Sequence, residues 1–174
     1  MTRGNPSNTI ILCGDVDENM VGYFTERLTD LDSHKIPGGI IVRITSHGGC
    51  VSSGFAIYDS ICLARNKVTT QAWGMAESTA VLIFQAGHRR MMAPNSRLVV
   101  HDLQGDASTS TGSKGAIAHL NVLKHMENAY MDNIAKRSGR TSEEVLGWCR
   151  DVTLFSPQLA VAKGLADGII GVRQ

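Results

Sequence analysis

A chain of 174 residues with 43% hydrophobic and 19% charged side chains is sized and balanced for one buried core. Its formal charge of +1 and 5% aromatic content offer no basic field for nucleic acid and no base-stacking platform. No apolar run approaches the roughly 20 residues that span a bilayer, and Met1–Asn8 has no apolar export core, so a cytoplasmic protein outside the membrane is expected.

Thr9–Cys13 is a short β-type run ending at Gly14. Val21, Phe24, Leu28 and Leu31 recur at helical spacing, so Glu18–Leu31 is predicted as a helix with Asp17 as its cap. Pro37-Gly38 breaks the chain before the strand Ile40–Ile44, and Ser53 caps a helix reaching about Arg65. Val68–Trp73 reads as the next strand, Ala76–Ala86 as an apolar helix, and Leu98–Val100 as a strand ending at His101. Gln104–Gly115, rich in Gly, Ser and Thr, reads as an extended connection. The longest helical pattern is Ala116–Lys136. Thr141 opens another helix with capping-box character, Ser156-Pro157 starts the last one, and Ile169-Ile170 suggests a closing strand. This alternation predicts an α/β domain with a largely parallel sheet, spanning 1–174 as one unit with residues 1–8 flexible.

Two glycine-bearing segments concentrate the chemistry: Ser46-His47-Gly48-Gly49-Cys50 and Gly74-Met75-Ala76-Glu77-Ser78-Thr79-Ala80. Each follows an apolar β-type run and leads into a helical pattern. Such turns bring backbone N–H groups and a serine hydroxyl to one sheet edge, an arrangement suited to acyl transfer. Ser78 reads either as a simple helix cap or as a nucleophile. His101, at a strand end, can reach the same edge as a general base. Asp151 is the best candidate to orient it; Asp102 and Asp106 stay open as alternatives. His47 could contact substrate or serve as a second base. The segment lacks the G-K-[ST] ending of a phosphate loop. His47-x-x-Cys50 is too small a set for zinc, so neither metal nor cofactor is expected. Cys13, Cys50, Cys62 and Cys149 form no C-x-x-C pair and are expected as reduced, mostly buried thiols.

Four segments in order and spacing resemble ClpP, the proteolytic subunit of the Clp protease family. They are Ser46-x-Gly48-Gly49 with Gly54-x-Ala56-Ile57-Tyr58-Asp59, Gly74–Ser78, Pro94–His101, and Ala160-Val161-x-x-Gly164-Leu165-x-Asp167. The resemblance implies a crotonase-like α/β fold of repeated strand-helix units with a long protruding helix, here Ala116–Lys136, through which two rings meet. It implies a serine endopeptidase with Ser78 as nucleophile, His101 as base, and an oxyanion hole from the Gly49 and Thr79 amides. It further implies a homo-oligomer of heptameric rings, stacked as a tetradecamer, that cleaves peptides or unfolded proteins fed by an AAA+ unfoldase.

Departures from the family pattern are equally specific. Counting back from Ser156, the acid position falls on Val152; a one-residue insertion at Thr153-Leu154 restores Asp151 as the acid. His47 replaces proline, Glu77 replaces alanine, and Asp102-Leu103 replaces Gln-Pro; Glu77 and Asp102 place negative charge near His101 if they point inward. The short stretch before Thr9 suggests a wider entrance or a different partner, as in a phage or accessory ClpP-like protease. A catalytically impaired ring subunit and a crotonase-type acyl-CoA enzyme are the competing readings.

Overall fold

The computed structural model describes residues 8–102 and 113–171. Strand β1 (Thr9–Cys13) lies parallel to strand β2 (Ile40–Ser46), with Thr9 opposite Ile41. Between them runs helix α1 (Glu18–Asp32), whose first turn is capped by Asp17 Oδ1 accepting the Met20 amide at 2.8 Å. Phe24, Leu28 and Leu31 form its buried stripe, as the spacing predicts, but the first-turn member is Met20, with the predicted Val21 only partly buried. Helix α2 (Val51–Leu63) leads to strand β3 (Val68–Glu77), which turns abruptly into helix α3 (Thr79–Gln85). Strands β4 (Arg89–Met92) and β5 (Arg97–Val100) follow, then helix α4 (Ser113–Ser138) and helix α5 (Ser142–Arg150). Strand β6 (Thr153–Phe155), helix α6 (Pro157–Ala162) and strand β7 (Gly168–Ile169) complete the described chain.

The sheet order is β1-β2-β3-β4-β7, with β5 alongside the second half of β3 and β6 alongside β5. All pairings are parallel except β5 with β6. Strand β3 therefore changes partners midway: Thr69–Ala72 pair with β4, and Met75–Glu77 pair with β5. The change coincides with a register break against β2, where Ile44 faces Ala72 but Ser46 faces Ala76. The extra β3 residues bulge out, Gly74 takes φ +68, and Thr45 Oγ1 donates to the carbonyl of Trp73 at 2.8 Å. The bulge re-aims the end of β3 toward the turn that follows β2.

Every residue of α3 is buried, since its sequence T-A-V-L-I-F-Q has no polar face to turn outward. Its one amide side chain, Gln85, is satisfied by the Leu165 carbonyl at 2.9 Å and by Arg90 at 2.7 Å. Arg90 is itself buried and ties distant segments together. Its guanidinium donates to both Asp167 oxygens (2.6 and 3.1 Å) and to the carbonyls of Arg137 (2.9 Å) and Gly164 (3.0 Å).

Several expectations need correction. Gly74–Glu77 is strand, so α3 begins at Thr79 and not at Ala76, because β5 supplies ladder partners that local sequence does not reveal. Helix α2 begins at Val51, before Ser53, with Cys50 at its cap position. Strands β4 and β6 had no predicted counterpart; each is short and defined by its neighbour. Three of the four cysteines are exposed and only Cys149 is buried, because Cys13 and Cys62 occupy outward positions on β1 and α2. Asp106, most of Gln104–Gly115 and the first seven residues lie outside the described residues.

The Asp167 carboxyl feels some burial, which raises its pKa, but hydrogen bonds from the Arg90 side chain and backbone outweigh this and hold it below the usual carboxylate value. Replacing Arg90 with Met should strip partners from Asp167, Gln85 and two carbonyls, costing about 3 kcal/mol in denaturant unfolding with an unchanged m value. A depressed folded-state pKa stabilises above the unfolded value and loses that effect as pH falls through the folded one. The stability gap between wild type and Asp167→Asn should therefore be full above about pH 4 and close in stronger acid.

Candidate active site

Ser78 occupies the single residue between β3 and α3, with φ +53 and ψ −126. A left-handed backbone at a non-glycine residue costs on the order of 1–3 kcal/mol, so its surroundings must enforce it. They do so from three sides. The Ser78 amide donates to the Val99 carbonyl at 2.9 Å, and its own carbonyl accepts from the Val81 amide at 2.9 Å and from the Tyr130 hydroxyl at 3.2 Å. This strand-to-helix geometry is that of a nucleophile elbow, although the flanking residues are alanines and not the glycines of G-x-S-x-G. The Ser78 side chain makes no capping hydrogen bond, so the simple cap reading does not describe it.

The turn after β2 packs directly on the serine. Gly48 (φ +101) comes so close that a Cβ there would lie 2.8 Å from both Ser78 Cβ and the Glu77 carbonyl oxygen and 3.1 Å from the Thr79 nitrogen. Gly49 (φ +146) abuts Val16, whose amide donates to the Gly48 carbonyl at 2.8 Å while the Cys50 amide donates to the Val16 carbonyl at 2.7 Å. Ser46 Oγ accepts the Gly48 amide at 3.0 Å, and Thr79 Oγ1 donates to the Gly49 carbonyl at 3.1 Å. Among the described residues, the amides of Gly49 and Thr79 have no acceptor.

His101 follows β5, two residues beyond Val99 and on the same side of the sheet as Glu77, because Glu77 and Val99 are register partners. Its Nδ1 lies 2.6 Å from the Asp102 carbonyl oxygen. A carbonyl only accepts, so Nδ1 carries a proton, and in the tautomer this selects the lone pair is on Nε2. That is the tautomer a general base requires. No hydrogen bond joins His101 to Ser78 among the described residues, and the Asp151 carboxylate has no partner among them. Asp151 is the C-cap of α5 and is exposed.

The antiparallel register sets Val100 opposite Thr153, so Asp151-Val152 enters β6 at the same end of the ladder at which His101-Asp102 leaves β5. The ladder is regular through Thr153 and Leu154. Val152, just before it, has φ +48 and 60% of its surface exposed, a conformation that a β-branched residue rarely takes.

The two altered positions, His47 and Glu77, contact each other. His47 Nδ1 lies 2.8 Å from Glu77 Oε2, while the Arg97 Nε donates to Glu77 Oε1 at 2.8 Å. Burial raises the Glu77 pKa, but the hydrogen bonds from His47 and Arg97 outweigh it and leave the carboxyl below its usual range. The Glu77 charge is thus matched locally by Arg97. Tyr130, fully buried on α4, was not singled out from sequence, where it is one apolar position in a long helix. Burial pushes its hydroxyl well above the usual tyrosine pKa, which keeps it a donor to Ser78.

The family model described as Clp protease matches residues 2–173. The "ATP-dependent Clp protease proteolytic subunit 3" of Synechococcus sp. (strain CC9902) is 29% identical over 171 residues, 97% of this chain and 85% of that protein. The "ATP-dependent Clp protease proteolytic subunit" of Ligilactobacillus salivarius (strain UCC118) is 32% identical over 164 residues, 92% of this chain and 82% of its own length. A solved structure of a ClpP1 point mutant from Listeria monocytogenes superposes with a TM-score of 0.84 at 22% identity, covering 95% of this chain and 92% of that one. The chain belongs to the Clp protease family and has its fold.

Gly48→Ala and Gly14→Ala test whether the glycine turn shapes the serine site. Both glycines have similar φ (+101 and +98), but a Cβ at Gly14 meets nothing within 4 Å. Gly14→Ala should lose about 1–2 kcal/mol of stability through backbone strain, and Gly48→Ala more, because its methyl also meets the Glu77 carbonyl and Ser78 Cβ. Only Gly48→Ala should slow labelling of Ser78 by a fluorophosphonate, by at least about ten-fold, since only its methyl fills the space before the Thr79 amide.

Proposed function

We propose that this Clp family member is a serine endopeptidase subunit that cleaves peptides and unfolded chains. The observation that carries the reading is Ser78, held in a left-handed turn with the unengaged Gly49 and Thr79 amides beside it. In this mechanism Ser78 Oγ attacks the scissile carbonyl while His101 Nε2 takes its proton. The developing oxyanion accepts hydrogen bonds from the Gly49 and Thr79 amides. The proton on His101 then passes to the leaving amine, forming an acyl-enzyme. His101 next deprotonates a water, which attacks the ester and restores the serine.

Asp151 is assigned as the carboxylate that stabilises the imidazolium. Its placement past Thr153 supports this, and the step requires the His101 ring to exchange the Asp102 carbonyl for the Asp151 carboxylate on Nδ1. A carbonyl fixes the tautomer but supplies no full charge against the imidazolium; a carboxylate supplies both.

The family likeness extends the proposal to heptameric rings, stacked as a tetradecamer, that enclose the sites. Exposed Ile117, Leu120 and Val122 on α4 support burial of that helix against another ring. The relatives named as ATP-dependent subunits support an AAA+ unfoldase as the feeding partner.

A second reading, a ring subunit without catalysis, is favoured by one observation: His101 Nδ1 is bound to a carbonyl and not to an acid. The two readings separate cleanly. On the first, Ser78→Ala lowers kcat for an unstructured peptide by at least about 10⁴-fold. Asp151→Asn lowers it about 10³- to 10⁴-fold, while Asp102→Asn stays within a few-fold. On the second, wild type forms rings, leaves peptide intact and takes up no fluorophosphonate. Wild-type rates in Ser78→Ala would end the assignment of the nucleophile.

A further inference from the structure

The His47–Glu77–Arg97 cluster joins three elements beside the reacting groups. His47 immediately precedes Gly48, and Glu77 immediately precedes Ser78, so a bond between their side chains acts directly on both turns. Arg97 on β5 holds the other Glu77 oxygen and also reaches Met75 Sδ at 3.5 Å. The Glu77 side chain is 17% exposed, whereas that of His47 is 67% exposed. The carboxylate is therefore the fixed centre, and His47 is clipped onto it from outside.

The ladder between β2 and β3 gives little support here. Regular pairing ends at Ile44 with Ala72, and beyond the bulge only Ser46 with Ala76 remains. The glycine turn has no side chain of its own to pack at residues 48 and 49. Besides the packing of Gly48 on Ser78, its other hydrogen bond to the serine turn among the described residues is the Thr79 hydroxyl on the Gly49 carbonyl. Where the family pattern carries proline before the two glycines, a ring fixes φ covalently. His47 has no such ring, and the carboxylate that takes up the slack is the second departure from the pattern.

We propose that Glu77 is a positioning residue: with His47 and Arg97 it forms a strut that sets the glycine turn against the serine turn. This rests on reading Ser78 with the Gly49 and Thr79 amides as the reacting site. The geometry of those donors matters steeply, since a misplacement near 1 Å costs on the order of a hundred-fold in rate.

Two protected amides report on the strut independently of activity: Cys50, which donates to Val16, and Ser78, which donates to Val99. In Glu77→Ala, both should exchange with solvent deuterium at least about ten-fold faster, while amides of β1 and α1 keep wild-type rates. For an unstructured peptide, kcat should fall about ten- to a hundred-fold with KM within about two-fold. Glu77→Gln, which still accepts from Arg97, should recover most of the rate. His47→Ala, at an exposed position, removes one arm of the strut and should shift both readouts in the same direction by less. Unchanged exchange at Cys50 and Ser78 in Glu77→Ala overturns the strut, whatever the activity. A rise in KM alone also overturns it, because Glu77 would then be a substrate contact. If wild type neither cleaves peptide nor takes up a fluorophosphonate, the Ser78 reading fails, and the exchange data still decide the strut.

Discussion

The contact between Gly48 and Ser78 is the constraint around which the rest is arranged. No side chain fits at residue 48, and Ser78 cannot relax to an ordinary strand or helix conformation without losing the Val99 and Tyr130 hydrogen bonds. The strained turn, of order 1–3 kcal/mol, is stored against a helix that is buried throughout. Helix α3 cannot shift to relieve it, because its residues pack on all sides and Gln85 is fastened to Arg90.

The β3 bulge makes this arrangement reachable from a parallel sheet. In an unbroken ladder, β3 would end in register with β2 and carry Ser78 past the glycine turn. By absorbing extra residues at Trp73-Gly74 and switching partner from β4 to β5, the strand brings Ser78 back beside Gly48 and beside the strand that leads into His101. The same switch weakens the ladder at the site, which explains why side chains such as Glu77, Arg97 and Ser46 carry the local order.

Elements with their own periodicity were legible in the sequence. Most of the α1 stripe, the Asp17 cap, the β2 strand and the Thr141 capping box appear as read, with Met20 taking the place of Val21 in the stripe. Strand β6 and the second half of β3 were not legible, since each exists through its pairing with β5. Ser78, His101 and the glycine turn stood out because turns and strand ends leave sequence marks. Tyr130 did not, since a buried tyrosine on an apolar helix face looks like packing until its hydroxyl is seen to reach Ser78. His47 and Glu77 were visible as departures; that they face each other follows only from the Ser46–Ala76 register. The positive φ of Val152 was not legible in the sequence either, since a β-branched residue gives no local sign of that conformation.

The central claim is that the two turns together make an oxyanion site with Ser78 as its nucleophile. A crystal structure of the protein reacted with a peptidyl phosphonate tests it most directly. The account predicts phosphorus bonded to Ser78 Oγ and the phosphonyl oxygen within about 3 Å of both the Gly49 and Thr79 nitrogens. It also predicts the His101 ring turned so that Nδ1 faces the Asp151 carboxylate. A phosphonyl oxygen pointing into solvent, or an adduct on another residue, would contradict it.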